Sequence, residues 1–296
     1  MVSLKLDLDM SDDPSPAGWT GPIKAMTGAR RYPSLIIFLP GMTGNFEQWT
    51  WVRECLEGVP ADLAFGAPVM PGIVSGRAAP TVTEVANAIA HELQSADDGE
   101  IIIVSHSVGA FSGLGIAHEI PAAVKAVILV NGGLAGVGRF LDQPVREFFA
   151  RPLRCLTFLW LFALVSAPAP KCVKQAIAAR RWLTRAILGK LVSGSAMDTR
   201  ERRAALLNEA GGPWVLPSLW KNRHHWREFT AYAHEISTDV LFVIGDRDPV
   251  STHEDAVNMA ALLPRSRIRD LKGVGHAAPL EVPAVIADII RDVLKS

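Results

Sequence analysis

Apolar residues along this chain fall into two patterns. Short apolar runs rich in β-branched residues are closed off by glycine, proline, asparagine or serine. They are 34–39 (SLIIFL) before Pro40-Gly41, 101–104 (IIIV) before Ser105-His106-Ser107, 124–130 (VKAVILV) before Asn131-Gly132-Gly133, and 240–244 (VLFVI) before Gly245-Asp246. Such runs read as strands buried on both faces. Between them apolar positions recur at helical spacing. In 81–94 these are Val82, Val85, Ala86, Ile89, Ala90 and Leu93, with Thr81 as a candidate cap. Residues 252–263 and 283–294 read as helices, 267–271 as a strand, and 46–56 as an aromatic-rich helical stretch. Residues 62–70 read as a strand running into a loop that ends at Pro71-Gly72. Residues 3–9 alternate apolar and charged, as an edge strand does. Residues 12–33 are broken by Pro and Gly and predict loop with one weak strand.

Strands alternating with helices imply an α/β fold, a mostly parallel sheet flanked by helices. Residues 135–236 break the alternation. They are helix-prone and rich in Trp, with punctuation at Pro168 and Pro170, at Gly194 and at Gly211-Gly212-Pro213. They are expected to form a helical cap or lid inserted after the 124–130 strand, leaving 1–134 and 237–296 as the core. Charge supports the division: from Arg139 to Glu235 there are 16 Lys/Arg against 7 Asp/Glu, and elsewhere 14 against 23.

Composition narrows the function. A formal net charge of zero gives no field for nucleic acid. Cys55, Cys155 and Cys172 are too few and scattered for a disulfide framework or a metal site, so no metal is expected and a cytoplasmic chain is the expectation. The acidic start MVSLKLDLDMSDD lacks an apolar core, so no signal peptide is expected. The longest apolar run, from Cys155 to Ala167 (CLTFLWLFALVSA), falls short of the roughly 20 residues that span a bilayer.

In an open parallel sheet, ligands gather at the carboxyl ends of the strands. Ser107 follows one such end on a strand–turn–helix, which presents a hydroxyl above the sheet with a helix amino terminus behind it. The turn needs small residues two before and two after the nucleophile, and it is expected to bring Ser105 and Gly109 together. Asp246 and Asp248 follow the 240–244 strand, and His276 follows the 267–271 strand in Gly273-Val274-Gly275-His276. A serine hydroxyl is a poor nucleophile until a base takes its proton and a third group orients that base. His276 is the candidate base and Asp248 or Asp246 its orienting acid. The oxyanion formed on attack needs two backbone N–H donors. Val108 supplies one, and the loop after 34–39 supplies the other at Met42, with Gly41 letting that loop approach the substrate.

Three matches now carry a resemblance: L-P-G-M-T-G-N at 39–45, S-H-S-V-G at 105–109, and G-D-R-D-P followed by G-H-A-A-P-L-E-V-P at 275–283. The chain resembles α/β-hydrolase-fold enzymes of the cap-bearing, esterase- or lipase-like kind, from about residue 34 to the end apart from the cap. The resemblance implies Asp248 as the acid and His276 as the base. Asp246 is left to brace the loop, and Asn131 sits where some relatives keep the acid. Two positions depart from the family pattern: Ser105 replaces the usual Gly of the elbow, and Pro40-Gly41 stands where many relatives have His-Gly.

The expected function is hydrolysis of an ester of a small to medium hydrophobic molecule through a serine ester, with no metal or organic cofactor. The same triad serves thioesterases, acyltransferases and C–C bond hydrolases, and a non-catalytic ligand-binding member of the fold is the other class. Dehalogenases and epoxide hydrolases of this fold use a carboxylate nucleophile, against which Ser107 argues directly. The run from Cys155 to Ala167 reads first as a buried cap helix, with Trp160 as a substrate contact. Its second reading is a lipophilic lid flanked by Arg151, Arg154, Lys171 and Lys174 that touches a membrane. His106 is expected to be structural. His224-His225 and the pairs Arg180-Arg181 and Arg202-Arg203 are expected to be solvated surface.

Overall fold

The computed structural model describes residues 23–25, 32–41, 46–66, 81–94, 99–167, 169–193, 198–208 and 215–296. The expected edge strand at 3–9 and the oxyanion-loop residue Met42 lie outside them.

One sheet of seven strands organises the molecule: β1 Ile23–Ala25, β2 Leu35–Leu39, β3 Asp62–Gly66, β4 Ile101–His106, β5 Val124–Val130, β6 Asp239–Gly245 and β7 Ser266–Leu271. The spatial order is β1-β3-β2-β4-β5-β6-β7. Strands β2 to β7 are all parallel, and β1 pairs antiparallel with β3. β4 is central, with Ile103 opposite Ile37 on one side and Val127 on the other.

The apolar runs lack polar alternation because both sheet faces are covered. Ile37, Leu39, Ile103, Val127 and Leu129 enter one core. Ile36, Phe38, Val104, Ile128 and Val130 enter the other. Helices of the core fold supply the covers: α1 Thr50–Cys55, α2 Val82–Gln94 and α3 Gly109–Glu119 in the first half. α2 starts where its sequence says it should. Glu84 N–H donates to Thr81 Oγ1 at 3.0 Å and Thr81 N–H to Glu84 Oε2 at 2.6 Å, a reciprocal cap.

Between β5 and β6 the described residues are helical: α4 Ala135–Asp142, α5 Pro144–Ala150, α6 Pro152–Ser166, α7 Lys171–Ala178, α8 Arg181–Leu188, α9 Arg200–Asn208, α10 Val215–Lys221 and α11 His225–Tyr232. After β6 come α12 His253–Ala260, α13 Ala278–Glu281 and α14 Pro283–Lys295. The inserted helices share the first core: Phe140, Phe158, Phe162, Leu206 and Phe229 pack continuously with Val127, Leu129 and Phe242.

Several surface expectations are corrected by how this segment is fastened. Arg154 bonds the fully buried Asp255 of α12, and Arg139 lies 3.7 Å from the same carboxylate. Arg151 pairs with Glu254 at 3.3 Å. Arg151 and Arg154, two of the four cations that flank the apolar run, are thus spent holding α6 to the core. Arg203 is buried, donating through Nε to the Ala178 carbonyl at 2.6 Å. His225 is buried edge-on against Phe111, because an imidazole on the inner side of α11 faces α3 rather than water.

Candidate active site

Ser107 follows the last residue of β4 and precedes α3. Its φ of +50° is in the left-handed region, unusual for a residue with a Cβ. The strain is held by the Ser107 N–H donating to the Val130 carbonyl at 3.1 Å and by the Ser107 carbonyl accepting from Ala110 N–H at 2.9 Å. The steric logic of the elbow differs from the expected one. A Cβ at Gly109 would lie 2.4 Å from the Pro40 carbonyl oxygen, and one at Gly113 would lie 2.3 Å from Ser105 Oγ. Gly109 is small for the β2 loop, and Ser105 is small for α3. The two do not chiefly serve each other.

His276 Nδ1 lies 2.7 Å from Asp248 Oδ2, and His276 Nε2 lies 3.1 Å from Ser107 Oγ. A carboxylate only accepts, so Nδ1 carries the proton and Nε2 presents a lone pair to the serine O–H. Asp248 is buried, and its other oxygen accepts from Val250 N–H at 2.7 Å and Ser251 N–H at 3.1 Å. Asp246 is occupied elsewhere: it accepts from Gly273 N–H at 2.6 Å and braces the loop that leads to His276.

Val108 N–H, at the amino end of α3, has no acceptor among the described residues. Gly41 stands beside it. A Cβ there would lie 3.1 Å from His106 Nδ1 and 3.3 Å from Ser107 Cβ, so this backbone approaches the serine closely and a side chain would make its neighbours shift. Ser107, Val108, Gly41 and His276 open onto a cavity of about 130 Å³. Its apolar walls include Leu134, Val137, Leu161, Phe162, Leu188 and Leu219. Trp160 is not among the lining residues. It is 42% exposed, because one step along α6 turns a side chain by about 100° from the inward-facing Leu161.

Three supports of His276 carry little signal in the sequence. Asn131, at the end of β5 with φ +48°, donates through Nδ2 to the carbonyls of Gly275 and His276, both at 2.7 Å. Its Oδ1 accepts from Gly245 N–H at 3.0 Å, so one buried amide ties the ends of β5 and β6 to the histidine loop. Glu281, also buried, accepts from Gly275 N–H at 2.8 Å, Ala277 N–H at 3.2 Å and Ser193 N–H at 3.0 Å. His276 N–H itself donates to the Leu191 carbonyl at 2.6 Å. In the sequence Asn131 stands out only as a strand-end residue, and Glu281 only as a lone charge between Leu280 and Val282 in a stretch bracketed by prolines.

His106 points away from the serine. Its Nε2–H donates to the His276 carbonyl at 2.8 Å, leaving Nδ1 as a buried acceptor without a partner among the described residues. Burial, with the neighbouring His276 charge as a second cause, pushes its pKa down to about 3, so the ring is neutral. No group of three or more His, Cys, Asp or Glu side chains suited to a metal ion is found among the described residues.

Sheet order, helical layers and this strand-end constellation define one class of protein. The chain belongs to the alpha/beta hydrolase family, whose family model matches residues 36–289. Among solved structures it is similar to a thermophilic esterase from Thermogutta terrifontis, at 15% identity over 92% of each chain with a TM-score of 0.57. It is likewise similar to the putative non-heme bromoperoxidase BpoC from Mycobacterium tuberculosis H37Rv (14% identity, 92% of this chain and 94% of that one, TM-score 0.63). A third is the thioesterase domain from the curacin biosynthetic pathway (18% identity, 91% and 94%, TM-score 0.60). At these identities the likeness is one of fold. No curated protein sequence matches the chain.

Proposed function

We propose that the protein is a serine hydrolase that cleaves an ester of a small to medium hydrophobic acyl group through a covalent acyl-enzyme. The observation that carries this reading is the unbroken hydrogen-bonded line from Asp248 through His276 to Ser107, ending beside the Val108 N–H, which has no acceptor among the described residues. His276 Nε2 takes the serine proton as Oγ attacks the carbonyl carbon, and Asp248 holds the tautomer and supports the imidazolium. The carbonyl oxygen becomes an oxyanion facing Val108 N–H, with the loop beyond Gly41, at Met42, as the second donor. Collapse expels the alcohol, which takes the proton from His276. Water then repeats the sequence on the serine ester, and the acid leaves. No cofactor is needed for this balance.

The helices of 135–236 act in this reading as a cap that sets substrate size. The apolar walls of the cavity suit a small to medium hydrophobic acyl group. Relatives of the fold include an esterase and a thioesterase, so the leaving group is the open variable. The test is labelling by a fluorophosphonate probe, followed by turnover of a p-nitrophenyl ester chain-length series beside matching thioesters. Labelling lost in Ser107→Ala, with esters preferred and small to medium chains best, is the expected result. A preference for thioesters moves the protein to that class. An unlabelled wild type, or equal labelling of Ser107→Ala, overturns the hydrolase reading in favour of a binding protein.

A further inference from the structure

Large exposed apolar side chains are concentrated on the inserted helices. Phe149 is 83% exposed, Leu153 80% and Trp220 68%, with Leu156, Leu159, Trp160 and Leu216 each above two-fifths. On α6, Leu153, Leu156 and Trp160 follow i, i+3, i+7 spacing along the outer side, while Cys155, Phe158, Leu161 and Phe162 are buried. A solvent-facing helix side normally carries charge. Here no charged residue lies between Arg154 and Lys171, and the Thr157 hydroxyl is spent on the Leu153 carbonyl at 3.0 Å. Helix α10 packs beside α6 and exposes Leu216 and Trp220, and α5, also packed on α6, exposes Phe149. Patches of this kind mark interaction surfaces.

Charge points to the partner. The segment that carries these helices, Arg139 to Glu235, has 16 Lys/Arg against 7 Asp/Glu, although Arg139, Arg151, Arg154 and Arg203 are engaged within the fold. Arg223 stacks over the Trp220 ring at 4.6 Å, and Arg146 on α5 bonds only Gln143; neither has an acidic partner among the described residues. Tryptophan with arginine above an apolar helix face is the chemistry of a bilayer interface bearing anionic headgroups. No described helix is long and apolar enough to cross a membrane, so contact would be in the plane of the surface.

We propose that the outer face of α5, α6 and α10 seats on an anionic lipid bilayer. Leu153, Leu156, Trp160, Leu216 and Trp220 enter the headgroup boundary, and Arg146 and Arg223 meet lipid phosphates. The opposite side of α6 contributes Leu161, Phe162 and Leu164 to the cavity over Ser107, so a single helix separates lipid from the candidate nucleophile.

The test is co-sedimentation of the full chain with phosphatidylcholine vesicles, with and without phosphatidylglycerol. Binding is expected to be roughly tenfold or more tighter with the anionic lipid. Leu153→Ser with Leu156→Ser should weaken it at least roughly tenfold while leaving the melting temperature and hydrolysis of a water-soluble ester unchanged. Arg146→Glu with Arg223→Glu should remove only the preference for anionic lipid. Failure of the wild type to bind any vesicle overturns the proposal, as does equal binding by the leucine double variant. A dimer that the leucine variant converts to monomer, with vesicle binding unaltered, assigns the face to self-association instead.

Discussion

Asn131 Nδ2 sits 2.7 Å from the carbonyl oxygen of His276, and His106 Nε2 reaches the same oxygen at 2.8 Å. Two donors therefore fix one carbonyl of the residue that would shuttle the proton. Both come from the ends of central strands, β4 and β5, so the histidine loop is referenced to the rigid middle of the sheet.

Asn131→Asp tests that reference. The shape and the tolerance for positive φ are kept, but an acceptor replaces the donor that faces two carbonyls. Stability should fall by about 3–5 kcal/mol, as when a buried charge is left without a compensating partner. Facing carbonyls raise the new carboxyl's pKa, and its protonated form regains a donor. The deficit should therefore shrink as pH falls, which urea unfolding at two pH values measures.

Glu281→Gln places an amide NH₂ among three backbone N–H donors that now share one carboxylate. A loss of about 1–3 kcal/mol is expected from the unpaired donors. Turnover should drop on the order of tenfold to a hundredfold, with KM nearly unchanged, because the group displaced is the base and not the pocket wall. Steady-state kinetics on a p-nitrophenyl ester separates the two parameters. A change in KM alone would count against the role given to this residue.

Gly113→Ala drives a methyl into Ser105 Oγ, and overpacking of this kind costs about 1–3 kcal/mol. Ser105→Ala removes that oxygen, which has no hydrogen-bond partner among the described residues, and leaves the two Cβ atoms 3.5 Å apart. The double variant should recover most of the loss, a coupling that a double-mutant cycle in thermal denaturation reads directly. Additive effects would mean that the clash is relieved elsewhere.

Acid should destabilise the fold through its buried imidazoles. Burial depresses the pKa of His106 to about 3 and lowers that of His225 as well. Unfolded, both bind protons as pH falls through about 6.5. The unfolded state thus holds more protons below that pH, and stability declines there by at most about 1.4 kcal/mol per pH unit for each histidine. His106→Gln should flatten the slope by one such step between about pH 6 and about pH 4, as followed by denaturant titration.

Most of the sheet could be read from the sequence because strands buried on two faces leave an unmistakable apolar run, as 124–130 does. The hydrogen-bonded grouping of Ser107, Asp248 and His276 was legible for a related reason: residues placed at strand ends inherit the order of the strands. What stayed hidden was contact between distant segments. His224-His225 has the composition of surface, yet His225 lies inside against Phe111 because α11 packs on α3. Trp160 and Leu161 are neighbours in an unbroken apolar run, and only the rotation of α6 sends one to solvent and the other to the cavity. Asn131 gave no cue to its latch, since its three partners lie more than 100 residues away.

The Leu191 carbonyl that receives the His276 amide belongs to the inserted helical segment, as does the Ser193 amide held by Glu281. The strand-end constellation and the inserted helices of this chain are therefore not interchangeable parts. Exchanging residues 135–236 for the corresponding segment of another hydrolase would change substrate fit and unseat the proposed base in one operation. A working chimera has to carry over the short stretch around Leu191, or supply its own carbonyl at that point, before its new pocket can be put to use.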